Sequence, residues 1–156
     1  MNKIAKISLS CLIAFSISSV NANEASSEKH ANKATELRQS IFKLLGSNMG
    51  PLGGMAKGKI EFDAQTIQKN GQRINQLSLM IDDYTRTDTS KFNVKTEALD
   101  KVWTQRDDFQ KRISALTEAS ANLEKIVLSG DEGSIKQAIG KVGQSCGGCH
   151  DNFKKD

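Results

Sequence analysis

Near the C-terminus the chain reads Cys146-Gly147-Gly148-Cys149-His150. Two thiols can add to two vinyl groups and a neighbouring imidazole can ligate iron, so Cys-x-x-Cys-His is the attachment signature of a c-type haem. On a helix, steps of three and four residues bring Cys146, Cys149 and His150 out on one face within a single turn. The haem plane would lie against that face. Gly147 and Gly148 each cost about 0.8–1 kcal/mol of helix propensity relative to alanine, so this turn is expected to depend on the bound cofactor for its order.

Three other chemistries use the same residue types. A thioredoxin-like redox pair belongs beside a βαβ pattern, which this chain does not show. A zinc site would need a further ligand, and outside the motif the exported chain offers only His30 of the usual nitrogen or sulfur kind. A structural disulfide is the third. The adjacent histidine and an export signal favour haem.

That signal lies at the N-terminus. Lys3 and Lys6 form a positive start, Ile7 to Val20 an apolar run, and Val20-Asn21-Ala22 a small-residue site with cleavage expected after Ala22. Residues 1–22 are therefore read as a signal peptide and 23–156 as one domain in the periplasm. The apolar run is interrupted by serines and falls short of the roughly 18 residues of a spanning helix, so the mature form is expected off the membrane. Cys11 leaves with the leader.

The formal net charge is +4, of which the leader holds two lysines. The remaining lysines are interspersed with acids, as on an ordinary solvated surface. With aromatics at 5 % there is no aromatic and basic cluster for base stacking, so no nucleic-acid partner is expected.

Helical periodicity supplies the elements that must position the motif. Asn23 to about Lys29 reads as a short flexible lead-in. A first helix begins near Ala31 or Ala34, with Ala34, Leu37, Ile41, Leu44 and Leu45 on one face. Gly46, Gly50, Pro51, Gly53, Gly54 and Gly58 then predict a loop. A second helix is expected from about Asp63, its N-cap, to Tyr84, with Ile60, Ile67, Ile74 and Ile81 in a heptad seam. Gly71 within it is a weak point or a close-packing spot. After a polar connection from Thr85 to about Lys95, a third helix runs from Thr96 to Leu128 on Val102, Phe109, Leu116 and Leu123. Trp103 is read as a packing anchor. A fourth starts near Ser134 and carries Ile135, Ile139 and Val142 into the haem motif. Without strand-like alternation, this pattern is all-α, an up-and-down antiparallel four-helix bundle with one covalently bound haem.

Arg38-Gln39, the Gly-rich segment, Val102-Trp103 and the run from Ser145 through Cys146, Cys149 and His150 to Lys154 together resemble cytochrome c′. The resemblance spans nearly the whole chain after the leader. It implies a periplasmic homodimer carrying one haem c through Cys146 and Cys149, with His150 as the only protein ligand to a five-coordinate iron. It further implies that Arg38 and Gln39 contact a haem propionate, that Phe42 covers the vacant face of the iron, and that Lys154 is a proximal basic residue. Leucine is common in the family at the position of Phe42, arginine at Lys154 and tyrosine at Phe153. Lysine lacks the planar fork of arginine.

Three functions follow. An open iron face lined by apolar residues admits small neutral gases such as NO and CO, which the protein would capture, buffer or sense. Binding opposite His150 would strain and release the imidazole, as the resemblance implies. The alternative is electron transfer with a sixth axial ligand and a periplasmic redox partner. Related bundles use a first-helix methionine for this, but Phe42 stands there, and Met49 and Met55 fall in or beyond the Gly-rich segment. Catalysis ranks last, because peroxide or NO turnover wants a polar distal acid or base. No enzymatic role beyond weak peroxidase or NO turnover is expected.

Overall fold

Four amphipathic segments cannot bury their apolar stripes alone, and in this chain they do so against one another. The computed structural model describes residues 23–155, so the leader and its cleavage site lie outside the described residues. A short strand β1 (Asn23–Glu24) precedes α1 (Glu28–Ala56) and α2 (Ala64–Thr85). A strand β2 (Thr87–Asp88), a single turn α3 (Lys101–Thr104), α4 (Arg106–Val127) and α5 (Glu132–Phe153) complete the chain. Helix α1 packs on α2 and α5, α2 on α4, and α4 on α5, which closes a ring of four. The core is mainly aliphatic, with Leu52, Ile67, Ile74, Leu123, Ile135, Ile139 and Val142 fully buried around Phe109. No described helix is long and apolar enough to cross a membrane.

The largest departure from the sequence reading is α1, which continues as helix through Gly46, Gly50, Pro51, Gly53 and Gly54. Each glycine costs about 1 kcal/mol and the proline about 3 kcal/mol there, but burying Leu45, Leu52 and Met55 returns about 2–3 kcal/mol apiece. Burial balances propensity. The helix stops only at Ala56, in a Schellman turn: Gly58, at φ +68°, donates to Met55 O, and Lys59 N donates to Gly54 O at 2.8 Å. A Cβ on Gly54 would meet Ile60 Cδ1 at 2.5 Å, so glycine there lets Ile60 fold across the helix end.

The buried face of α1 is also rotated from the expected one. Ala31, Thr35, Arg38, Ile41, Leu45 and Asn48 point inward, whereas Leu37, Leu44 and Phe42 are exposed. The lead-in is ordered rather than loose: β1 pairs in parallel with β2, and Ala25 N donates to Asp88 O at 2.9 Å. Two residues are too few to leave an alternating pattern in sequence.

Asp63 caps α2 as expected, accepting from Gln65 N at 3.0 Å. Ile67, Ile74 and Ile81 are buried, while Ile60 lies outside the helix and half exposed. Gly71 is a packing position, since a Cβ there would touch Leu123 of α4 at 3.4 Å. The single third helix expected from Thr96 is instead α3 and α4, broken at Gln105, whose backbone leaves the helical region. Residues before Lys101 form no helix because they are bound elsewhere: Leu99 N donates to Phe153 O at 2.9 Å and Lys155 N to Glu97 O at 2.7 Å. The end of α5 is thereby tied to the 97–99 segment.

Candidate haem-binding site

Between α1, α5 and the 95–98 segment opens a cleft of about 840 Å³, lined among others by Arg38, Gln39, Phe42, Cys149, His150 and Lys154. Behind it, an inner cavity of about 200 Å³ is lined by aliphatic residues of all four long helices together with Met49, Arg112 and Cys146. Phe42, Phe109, Cys149 and His150 border both spaces. Every residue assigned to the haem site from the sequence therefore lines one of two joined cavities. Helix α5 runs unbroken through the motif, which places both thiols and the imidazole on that lining face. Cys146 and Cys149 are free and half-buried. Burial pushes the Cys146 thiol up, and burial together with the neighbouring Cys146 pushes Cys149 to about 11, against the Arg112 charge.

Arg38 is 3 % exposed although no carboxylate pairs with it. Its Nη2 donates to Thr35 Oγ1 at 3.2 Å, Thr89 Oγ1 at 3.3 Å and Thr96 Oγ1 at 3.2 Å. The guanidinium also lies over the Trp103 ring, 5.1 Å from its centroid. Burial pulls the guanidinium below its ordinary pKa, and the Asp88 charge opposes that. Its Nη1 is buried with no partner at all. A buried cation with one unused donor beside a cleft fits a carboxylate of the ligand, since unsatisfied buried donors are rare and guanidinium suits carboxylate. Gln39 Nε2 donates to Lys95 O at 2.9 Å, so its amide braces the cleft wall.

Lys154 caps α5 at the cleft mouth, where its Nζ pairs with Glu97 Oε2 at 3.0 Å. Phe153 turns inward and meets Phe109 edge-to-face, with centroids 5.0 Å apart. His30, in the first turn of α1, is exposed, bonds Ser26 through Nδ1 at 3.2 Å and lines neither cavity. It offers the motif no fourth ligand. Among the described residues, no cluster of three or more His, Cys, Asp or Glu could hold a metal ion.

Thr89, Thr96, the stacking role of Trp103 and the charge of Arg112 were not legible as site features. The threonines lie in connections, where no periodicity points to a face. Only the apolar spacing of Phe109 marked it in advance as facing inward.

A four-helix bundle whose last helix turns two cysteines and a histidine into a cavity walled by the first, with an unused guanidinium donor at the rim, has the build of a c-type haem protein. Comparison with known proteins narrows this. The family Cytochrome C' matches residues 33–154. Over 127 residues the chain is 32 % identical to cytochrome c' of Halomonas halodenitrificans, covering 79 % of this chain and 96 % of that one. Its fold superposes on cytochrome c prime from Shewanella frigidimarina with a TM-score of 0.74 at 36 % identity, covering 81 % and 97 % of the two chains. It also superposes on a nitric oxide complex of a variant of cytochrome c prime from Alcaligenes xylosoxidans with a TM-score of 0.71 at 26 % identity, covering 81 % and 96 %. The chain belongs to the cytochrome c′ family, and it carries haem c covalently through Cys146 and Cys149.

Proposed function

We propose that this is a periplasmic haem protein that keeps its iron five-coordinate, with His150 as the protein ligand, and binds small diatomic gases, buffering or sensing NO. The haem supplies the iron at which a diatomic ligand binds. One observation carries the reading: the side chain that α1 presents where the two cavities join is Phe42, which has no atom able to ligate.

The candidate sulfur ligand is displaced along the helices. Met49 lies seven residues after Phe42, about 10 Å further along α1. Its Cε stands 3.6 Å from the Cβ position of Gly143, which is seven residues before His150 on α5. Met49 is thus paired with α5 two turns away from the histidine. Met55 is buried in the core and lines neither cavity. The lining of the inner cavity is mainly apolar, and apart from His150 no acid or imidazole reaches it. Small neutral NO and CO fit this mainly apolar space, and no enzymatic step is assigned to it. A solved relative in complex with nitric oxide supports it. The exposed Leu37 and Leu44 of α1 and Leu79 of α2 supply apolar surface for a homodimer.

Optical spectra of the haem-loaded protein test the proposal. High-spin ferric and ferrous spectra that shift on adding CO or NO are expected. A low-spin ferrous spectrum indifferent to CO would overturn it in favour of electron transfer.

A further inference from the structure

The inner cavity holds a charge that neither haem attachment nor gas binding employs. Arg112 enters it from α4 beside Ile113, Leu116, Cys146 and Cys149. Its Nε is buried without a partner, and none of the ion pairs among the described residues includes it. The two other arginines with a buried, unpartnered side-chain nitrogen differ. Arg106 is paired with Asp82, and Arg38 has three threonine hydroxyls and a claim on a propionate. Arg112 passes over Gly148, where a Cβ would stand 3.3 Å from its Nη1. The motif glycine leaves room for a cation beside the attachment cysteines. Asp108, half-buried one turn earlier on α4, is the nearest acid along that helix, and its charge also reaches Cys149.

We propose that Arg112 tunes the haem iron electrostatically, holding its reduction potential above the value the same cavity would give with a neutral residue. Reduction takes one electron from an external donor, lowers the charge on the iron by one, and in this step makes or breaks no bond. A positive charge nearby therefore stabilises the reduced form, and more strongly in a water-poor cavity than at the surface. Guanidinium does not titrate in the physiological range, so the contribution is constant with pH. Lys154 cannot substitute, being exposed at the mouth and paired with Glu97. Asp108 acts in the opposite sense to Arg112.

The inference rests on haem attachment alone and stands or falls independently of the gas reading. The test is mediated redox titration of the haem-loaded protein and four variants. Arg112→Gln is expected to lower the midpoint potential and Arg112→Lys to keep it near the parent value. Lys111→Gln, which removes an exposed charge from the same helix, should leave it unchanged, and Asp108→Asn should raise it. An unchanged potential in Arg112→Gln, or an equal fall in Arg112→Lys, overturns the proposal. Should Arg112→Gln fail to take up haem, Asp108→Asn decides: a raised potential supports the field of this cavity edge, and an unchanged one sinks it. The ferric and ferrous absorption spectra of each variant report whether the haem surroundings are otherwise intact.

Discussion

The guanidinium of Arg38 lies 5.1 Å from the centroid of the Trp103 ring, so the side chain at the rim of the cleft is held from one side by an indole and from the other by threonines. The indole is fixed in turn, since Trp103 Nε1 donates to Thr85 O at 3.0 Å. Two elements distant in sequence thereby set the direction of one donor.

Trp103→Phe removes the Thr85 bond while keeping a ring under Arg38, and should cost about 1 kcal/mol of stability. Trp103→Ala removes the platform, and by the measure of large-to-small core changes should cost about 3–5 kcal/mol. Thermal unfolding of the haem-loaded protein checks both. Haem-region circular dichroism should change more in Trp103→Ala than in Trp103→Phe, because only the former frees Arg38.

Phe42→Met places a thioether where α1 faces His150, and should convert the ferrous spectrum toward low spin with weakened CO binding. Met49→Leu should leave the spectrum and CO response as they are, because Met49 packs at Gly143. A spectral change in Met49→Leu and none in Phe42→Met would show that Met49, not Phe42, is the α1 residue nearest the iron.

Asp82 receives hydrogen bonds from Arg86, Arg106 and Gln110 at the end of α2. Burial pushes its pKa up, but the bond from Arg86, the charges of Arg106 and Arg86, and Gln110 outweigh this, leaving the carboxyl below its ordinary value. A depressed carboxyl contributes stability that is present above its unfolded pKa and is lost as pH falls through the folded one. The melting temperature should therefore decline below about pH 4, and that decline should be shallower in Asp82→Asn. At neutral pH the same change leaves Arg106 buried without its counterion and should cost about 3 kcal/mol.

Much of this was legible in the one-dimensional pattern, for identifiable reasons. Heptad spacing at Ile67, Ile74 and Ile81 marked α2 because a helix buried on one side must repeat its apolar residues at that period. Asp63 marked its start because only a short acceptor side chain satisfies the free amides of a first turn. Gly46 to Gly54 misled, because local propensity speaks for an isolated segment, whereas Leu52 and Met55 are buried against other helices and outweigh it. The break at Gln105 was likewise invisible, since it follows from the tie between the 97–99 segment and the end of α5.

Cys146, Cys149 and His150 by themselves determined the cofactor and its mode of attachment, because thioether formation and iron ligation depend on residue type and spacing within a single turn. The surroundings of that haem were decided only by tertiary structure. The meeting of Phe42 and His150 at the join of two cavities, the hold of Thr89, Thr96 and Trp103 on Arg38, and the unpaired charge of Arg112 all depend on how separate helices are set against one another. Burial and electrostatic fields arise between such elements, and no local spacing records them.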